Sequence, residues 1–393
     1  MHNSAATSPN RPVVAHSVNP WCPASWVYHQ ITGLKNFTAI VVSKRKEKAA
    51  QFPFSPVYAQ YDLPQPQRLY EKIYQRWLGD WYPSHRRALE RHGATLLHSH
   101  FCPTGMMNWR LARALKIPHV TMFYGADIWA HCRRPGWREQ FRELATHSEM
   151  FLVEGNAMRD QVITLGAAPD QVKIFHLGLD LTKIPFQPRR PAADGKIHIL
   201  MAGRAYEKKG HIYGLRAFAR LAPKYPELQL NMIIGGQSAK AVKCATEMRG
   251  FIRDHHLAGR ISWSEMLPYE EYLRRLADTH VFLQPSVIAS DGDAEGGFPV
   301  TLTEMSAAGV PIVATRHCDI PEAVRHERTG LLADERDVDG LTAQLEKLIR
   351  SPDLWLAYGR AGREHVEQNY NIIRQIEVLE DRYRQLLKAG VRS

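Results

Sequence analysis

The sequence predicts an α/β protein built from two doubly wound parallel sheets. Three observations carry that expectation. Apolar runs of strand length alternate with helical periods along most of the chain, as in parallel sheets joined by helical crossovers. At 393 residues the chain is longer than one hydrophobic core usually serves. The Pro-rich stretch 181–196 interrupts the alternation near its middle and reads as a semi-rigid hinge. The expected division is residues 1–180, a linker at 181–196 and residues 197–371, followed by a last helix within 372–393.

In the first half, Pro12 to Val18 reads as a strand, and the segment from Trp21 to Ile31 opens a helix. Phe37 to Val42 is a second strand, leading into the basic run Ser43 to Lys48, which reads as a solvated loop. Residues 51–67, rich in Pro and Gln, read as loop. Over 68–83, Leu69, Ile73 and Trp77 share one helical face with Tyr70, Tyr74 and Trp81 beside it, while Arg68, Lys72 and Arg76 lie on the other side. A basic amphipathic helix of this kind can lie on an anionic membrane surface. The simpler expectation is that its stripe packs on its own domain.

Thr95 to His98, Pro118 to Phe123 and Glu149 to Val153 read as further strands. Ligands of doubly wound sheets sit at the carboxyl ends of the strands. His98, His100, Tyr124 and Asp127 fall at such ends and are expected to edge a pocket. Paired histidines also suggest a metal, yet no third ligand has a suitable spacing, so no metal is expected.

In the second half, Ile197 to Ala202 is a strand followed by Gly-Arg-Ala-Tyr-Glu-Lys-Lys-Gly, which lacks the Gly-x-Gly-x-x-Gly dinucleotide fingerprint. Leu228 to Gly235 and Ile261 to Ser264 are strands, with a helix between them from about Ala239 to His255. The most informative stretch is 281–334. Val281 to Gln284 and Val310 to Ala314 are of strand length, and Val300, Leu302, Met305 and Ala308 recur between them at helical spacing, closed by Gly309 and Pro311. The loop Glu295-Gly296-Gly297-Phe298-Pro299 precedes that helix, so its free N–H groups suit an anion, and its glycines permit close backbone approach. Glu295 and Glu304 flank it, and ionised carboxylates accept paired hydroxyl hydrogen bonds from a sugar. Asp291-Gly-Asp293 imitates a metal-binding Asp-x-Asp and reads as loop. Helices over about Val338 to Ile349 and Trp355 to Gln368 complete this half.

Composition narrows the partners. A hydrophobic share of 44% and a charged share of 23% describe an ordinary globular protein. Cys22, Cys102, Cys132, Cys244 and Cys318 stand singly, which argues against a zinc site or disulfide framework and for a reducing, cytoplasmic compartment. The first residues carry no apolar leader, and no apolar run reaches membrane-spanning length. The net charge of +11, most of it before residue 181, suits anionic partners. No nucleic-acid-binding motif accompanies it, so no nucleic acid is expected.

The stretch Glu295-Gly-Gly-Phe-Pro-Val-Thr-Leu-Thr-Glu304, followed by Met-Ser-Ala-Ala-Gly-Val-Pro-Ile-Val-Ala-Thr, resembles the donor-site motif of retaining glycosyltransferases of group 1, or family 4. Its two glutamates stand one residue further apart than is usual there, which we assign to an expansion at the glycine pair. Gly203-Arg204 with Lys209-Gly210 is similar to the segment whose Arg and Lys hold the donor diphosphate. His98-Ser-His100-Phe resembles that family's His-x-His, and Tyr124-Gly-Ala-Asp127 its His-Gly-x-Asp, with Tyr124 where the His usually stands. The resemblance covers most of residues 95–371 and is specific from 197 onward.

The resemblance implies the GT-B fold: two facing Rossmann-like domains with an interdomain cleft, the first binding acceptor, the second donor, and a terminal helix crossing back onto the first. It implies a nucleotide diphosphate sugar donor held by Gly203, Arg204, Lys209, Met266, Glu295, Gly296, Gly297, Phe298, Pro299 and Glu304, with Met266 near the base. Arg204, Lys209 and Glu295 would be catalytic, with retention and without metal or cofactor. A saccharide or polyprenyl-linked acceptor in polysaccharide biosynthesis, at the inner face of the plasma membrane, is expected. A nucleotide-sugar epimerase and a non-catalytic sugar-nucleotide-binding protein are the alternative readings.

Overall fold

The computed structural model describes residues 11–21, 24–79 and 81–391. Cys22 and the residues that would carry an N-terminal leader lie outside the described residues. The chain divides into two compact units, Met1–Gly178 with Ile372–Ser393, and Leu179–Asn371.

The first unit holds seven strands: β1 (Val13–Ser17), β2 (Thr38–Ser43), β3 (Val57–Ala59), β4 (Ala94–His100), β5 (His119–Met122), β6 (Met150–Val153) and β7 (Val172–Ile174). They pair in the order β3-β2-β1-β4-β5-β6-β7, all parallel. Strand order reverses between β1 and β4, where His16 stands opposite His98. Helices on both faces leave Val14, Ala15, Ile40, Val41, Leu96 and Leu97 fully buried, so these strands read as continuous apolar runs rather than alternations. β3 lies inside the stretch expected to be loop. It is a three-residue edge strand flanked by Pro53 and Pro56, too short for periodicity to show. The helix Ile372–Ala389 closes this unit: buried Glu380 accepts the backbone N–H groups of Lys35 and Asn36 at 2.5 and 2.7 Å.

The 68–83 segment departs from the expectation that its stripe packs inward. It is a helix over Gln65–Tyr74, continued by a π turn over Gln75–Gly79. The residue that the helix buries is Glu71, whose carboxylate accepts from Ser84 N–H at 2.7 Å and Ser84 Oγ at 2.6 Å, with Arg87 Nη2 at 3.1 Å. The same set anchors the next helix, Pro83–Arg91. Leu69, Tyr70, Ile73 and Trp77 point outward, while Trp81 packs against the unit. The periodicity is real, but the polar anchor at Glu71 fixes which side faces in.

The second unit holds β8 (Ile197–Arg204), β9 (Leu228–Gly235), β10 (Ile261–Ser264), β11 (Val281–Gln284), β12 (Ile312–Thr315) and β13 (Gly330–Ala333), parallel in the order β10-β9-β8-β11-β12-β13. Its order reverses between β8 and β11. The Pro-rich stretch read as a hinge is packed on this unit: Ile184 is buried, and Arg189 donates to the carbonyls of Ala277 and Ala308 at 2.6 and 2.9 Å.

Glu71→Ala removes the acceptor of three donors, and loss of a buried, multiply bonded group costs about 1–3 kcal/mol. A urea melt of this variant should shift accordingly, whereas Ile73→Ser should leave the midpoint in place.

Candidate functional site

The second unit's switch point is assembled by two loops. After β8 the chain passes Gly203, Arg204 and a 3₁₀ turn, Glu207–Lys209, and enters the helix His211–Leu221 through Gly210. Gly210 has φ +63°, and a Cβ there would lie 1.7 Å from the Pro285 carbonyl oxygen of the loop after β11. Only glycine fits so close an approach. Val287 N–H then donates to Lys208 O at 2.9 Å, so the two loops run against each other.

Lys209 and Glu295 meet where these loops touch. Lys209 Nζ lies 2.9 Å from the Glu295 carboxylate, and both side chains are nearly buried. Ser286 Oγ donates to Glu295 at 2.9 Å, and Glu295 N–H donates to His317 Nε2 at 3.1 Å. That accepting nitrogen puts the His317 proton on Nδ1, which donates to Glu335 at 2.6 Å. Burial pulls the Lys209 ammonium's pKa down, with Glu295 opposing the fall. Burial also pushes the Glu295 pKa up, but Lys209 and Lys208 outweigh it and leave the carboxyl below its ordinary value. Arg204 is exposed beside this pair, its guanidinium 5.1 Å from the centre of the Tyr206 ring.

Gly296 has φ +84°, followed by Gly297, buried Phe298 and Pro299, which caps the helix Val300–Ala307. Phe298 packs edge-on against Tyr370, with ring centres 5.2 Å apart. Past the end of the helix, Gly309 has φ +81° and Val310 N–H returns to Met305 O at 2.9 Å, a Schellman closure. Glu304, inside the helix, is buried and accepts from Tyr272 Oη at 3.0 Å and Tyr269 Oη at 3.2 Å. Burial pushes its pKa up to about 7, against these two hydrogen bonds. Met266, in the turn after β10, is exposed. The structure thus brings Lys209, Glu295 and the Gly296–Pro299 loop together with Arg204 beside them, and places Glu304 against two tyrosines.

Sequence reasoning missed several supporting residues. Buried Lys208 donates to Asp293 at 3.1 Å and to Ala294 O at 2.9 Å, holding the loop before Glu295. Ser290 N–H and Oγ both donate to Glu207, at 2.8 and 2.6 Å. Lys240 pairs with Asp291 at 2.5 Å, so both carboxylates of Asp291-Gly-Asp293 are taken by lysines. Ser286, His317, Tyr269 and Tyr272 carry no local signal, because their partners are set by folding.

In the first unit His98 and His100 do not line an open edge: both are fully buried on β4. His16 of β1 joins them, its Nδ1 3.1 Å from His100 Nε2. It supplies the third imidazole that spacing did not reveal, and ring nitrogens of the three lie within 4.8 Å of one another. His98 Nδ1 sits 2.6 Å from Tyr383 Oη, and His100 Nδ1 2.7 Å from Tyr124 Oη. Burial lowers all three pKa values, His16 to about 3, so the cluster stays neutral at physiological pH. Asp127 accepts from Cys102 N–H at 2.9 Å and Tyr124 N–H at 3.2 Å, which opens the helix Cys102–Leu115, and burial raises its pKa to about 6.

The second unit carries a lysine–glutamate pair and a glycine loop at its switch point, the place where doubly wound sheets bind their ligands. Residues 183–365 match the family described as glycosyl transferases group 1, and residues 36–183 match glycosyltransferase family 4. The chain belongs to the group 1, family 4 glycosyltransferases, and the match reaches further toward the N-terminus than the motifs alone. It is 30% identical over 275 residues to the amylovoran biosynthesis glycosyltransferase AmsK of Erwinia amylovora, covering 69% of this chain and 65% of that one. It is 27% identical over 282 residues to the putative colanic acid biosynthesis glycosyltransferase WcaL of Salmonella typhimurium, covering 71% of this chain and 67% of that protein. The matched stretches therefore span about two thirds of these relatives' own length. The fold is shared with Anabaena Alr3699/HepE in complex with UDP and glucose, at a TM-score of 0.76 and 13% identity, over 95% of this chain and 99% of that one. Sucrose-phosphate synthase from Thermosynechococcus elongatus gives 0.72 and 15%, over 97% and 100%. Sugar transfer in polysaccharide biosynthesis is the function that this membership and these relatives support.

Arg204 and Lys209 should behave differently on substitution. Arg204 forms no ion pair with a described carboxylate, so Arg204→Ala should lower turnover on the order of 100-fold with an unchanged melting temperature. Lys209→Ala strands a buried carboxylate and should also cost about 3–5 kcal/mol of stability. Adding Glu295→Gln to Lys209→Ala should return much of that stability but none of the turnover, as read by thermal melts beside kcat.

Proposed function

We propose that the chain transfers a sugar from a nucleotide diphosphate sugar to a saccharide or lipid-linked saccharide acceptor, with retention and without a metal at the diphosphate. The observation that carries this reading is the Lys209–Glu295 pair beside Arg204, at the carboxyl ends of β8 and β11. Two cations and a carboxylate on facing loops match a ligand that is anionic at one end and rich in hydroxyls at the other. The Anabaena protein's complexes with UDP and with UDP-glucose support the donor class. The exopolysaccharide relatives support the acceptor class.

In this mechanism the acceptor hydroxyl attacks the anomeric carbon as its bond to the diphosphate oxygen breaks. The leaving oxygen takes the bonding electron pair and, on the same face, the acceptor's proton. Arg204 and Lys209 stabilise the charge that builds on the diphosphate, which is a role for preorganised cations rather than for a nucleophile. Glu295 orients sugar hydroxyls and keeps Lys209 in place. Glu304 receives the ribose hydroxyls by exchanging its tyrosine donors for them, with the exposed Met266 flanking the base. Thermal shift against a panel of UDP and GDP sugars, followed by transfer assays, tests the assignment; no stabilisation by any member would overturn it. Epimerisation of the donor without an acceptor would establish the rival reaction, which family membership disfavours.

Glu304 gives this reading a pH signature. Its folded pKa of about 7 lies above the ordinary 4.5, so the stability it contributes is fully present below pH 4.5 and is lost as pH rises through 7. Glu304→Gln should flatten that part of the stability profile. Ribose hydroxyls favour the ionised carboxylate, so nucleoside diphosphate affinity should rise with pH through about 7, with proton release on binding. Calorimetry in buffers of different ionisation enthalpy measures this. The Gln variant, which retains the titration of the phosphates, should lose the release due to Glu304.

A further inference from the structure

We propose that the outward face of the helix Gln65–Tyr74 and its π turn Gln75–Gly79 docks the protein on an anionic lipid bilayer. The proposal deepens the reading of a lipid-linked acceptor and rests on it. Leu69 is 61% exposed, Tyr70 56%, Ile73 50% and Trp77 72%, with Tyr61 beside them at 41%. A surface helix ordinarily turns its apolar stripe to the core. This one is inverted: it buries Glu71 and shows its apolar side to the outside.

Charge identifies what covers it. Between residues 63 and 79 Glu71 is the one acidic side chain, and it is turned inward. Arg68, Lys72 and Arg76 border the apolar face, and none of them pairs with a carboxylate among the described residues. Their charged ends instead sit over aromatic rings, Lys72 at 5.6 Å and Arg68 at 5.8 Å from the Tyr61 centroid, and Arg76 at 5.7 Å from that of Trp77. Amphipathic aromatics beside unpaired cations suit the headgroup zone of an anionic leaflet, where rings enter the interface and ammonium and guanidinium groups meet phosphates. Among the described residues no helix is long and apolar enough to cross a membrane, so the contact is with the surface. The π turn also borders a cleft of about 630 Å³ lined by Gln75, Met107, Trp109, Arg110, Arg134 and Trp137. Its aromatic and basic walls suit the head of a saccharide presented from that surface.

The test uses the full chain and vesicles of phosphatidylcholine, alone or mixed in equal parts with phosphatidylglycerol. Cosedimentation should occur with the mixed vesicles and weaken with salt, and the variant carrying Leu69→Ser, Ile73→Ser and Trp77→Ser should bind at least about tenfold less. Its melting temperature should match the parent's. A second variant, Lys72→Glu with Arg76→Glu, should lose binding to the mixed vesicles while keeping the apolar face. Equal vesicle binding by parent and serine variant, or a melt lowered by many degrees, would overturn the proposal. So would a parent dimer that the serine substitutions dissociate without lipid, since the face would then meet a second copy. UDP and GDP binding, measured on the same preparations, separates the two readings. A parent that binds UDP or GDP but not the mixed vesicles overturns the docking face alone, and a parent that binds the vesicles but neither nucleotide overturns the donor site alone.

Discussion

The contact between Lys209 and Glu295 is the constraint around which the second unit's site is built. Taking both charges out of water costs several kcal/mol per ion, and only their close approach and further hydrogen bonds return it. Ser286, from the loop after β11, bonds the carboxylate itself, while His317, from beyond β12, accepts the Glu295 N–H and Lys208 holds Asp293 and Ala294, which fixes the loop that carries Glu295. Each partner belongs to a different crossover, so the pair ties β8, β11 and β12 together at the point where strand order reverses. Gly210 is the geometric condition for this arrangement, since any side chain there would drive the loops apart. The groups proposed to meet the donor and the structural clamp are the same atoms.

This dual use explains an asymmetry between the two basic residues that sequence reasoning treated alike. Arg204, exposed at the end of β8, spends nothing on the fold and is free to meet a ligand. Lys209 is already committed to a carboxylate, so in the proposed donor site a diphosphate would share it with Glu295. Binding thereby links the phosphate end of a donor to the carboxylate proposed to hold its sugar end. At Glu304 the hydroxyls of Tyr269 and Tyr272 keep a buried carboxyl from being left unsatisfied, and they are the donors that the proposed ribose hydroxyls would replace.

The sheets were legible because parallel strands buried on both faces leave continuous apolar runs, as at Val281 to Gln284 and Ile40 to Val42. The helix Val300–Ala307 was legible because its periodicity, its Gly309 closure and its glycine loop are all local. What stayed hidden depends on contacts between distant residues. Lys208 looks like any exposed lysine until Asp293, 85 residues on in the loop after the neighbouring β11, is folded against it. His16 carries no motif, and only the register of β1 on β4 sets it beside His98 and His100. The helix Gln65–Tyr74 shows a third kind of limit. Periodicity tells that one face is apolar, but the sign of that face relative to the core was decided by Glu71 and its partner Ser84, thirteen residues on.

The two units share a topology and diverge in what they place at its reversal. In the second unit the β8/β11 point carries ions, and its cost is met by pairing. In the first, the β1/β4 point carries His16, His98 and His100, which burial keeps neutral; His98 and His100 meet tyrosine hydroxyls and His16 meets His100. A neutral imidazole offers one donor and one acceptor, so the cluster moves no charge into the core, although His16 Nε2 and His98 Nε2 find no hydrogen-bond partner among the described residues. The two sheets therefore differ in what they bury at the same topological position, paired charges in the second and neutral imidazoles in the first.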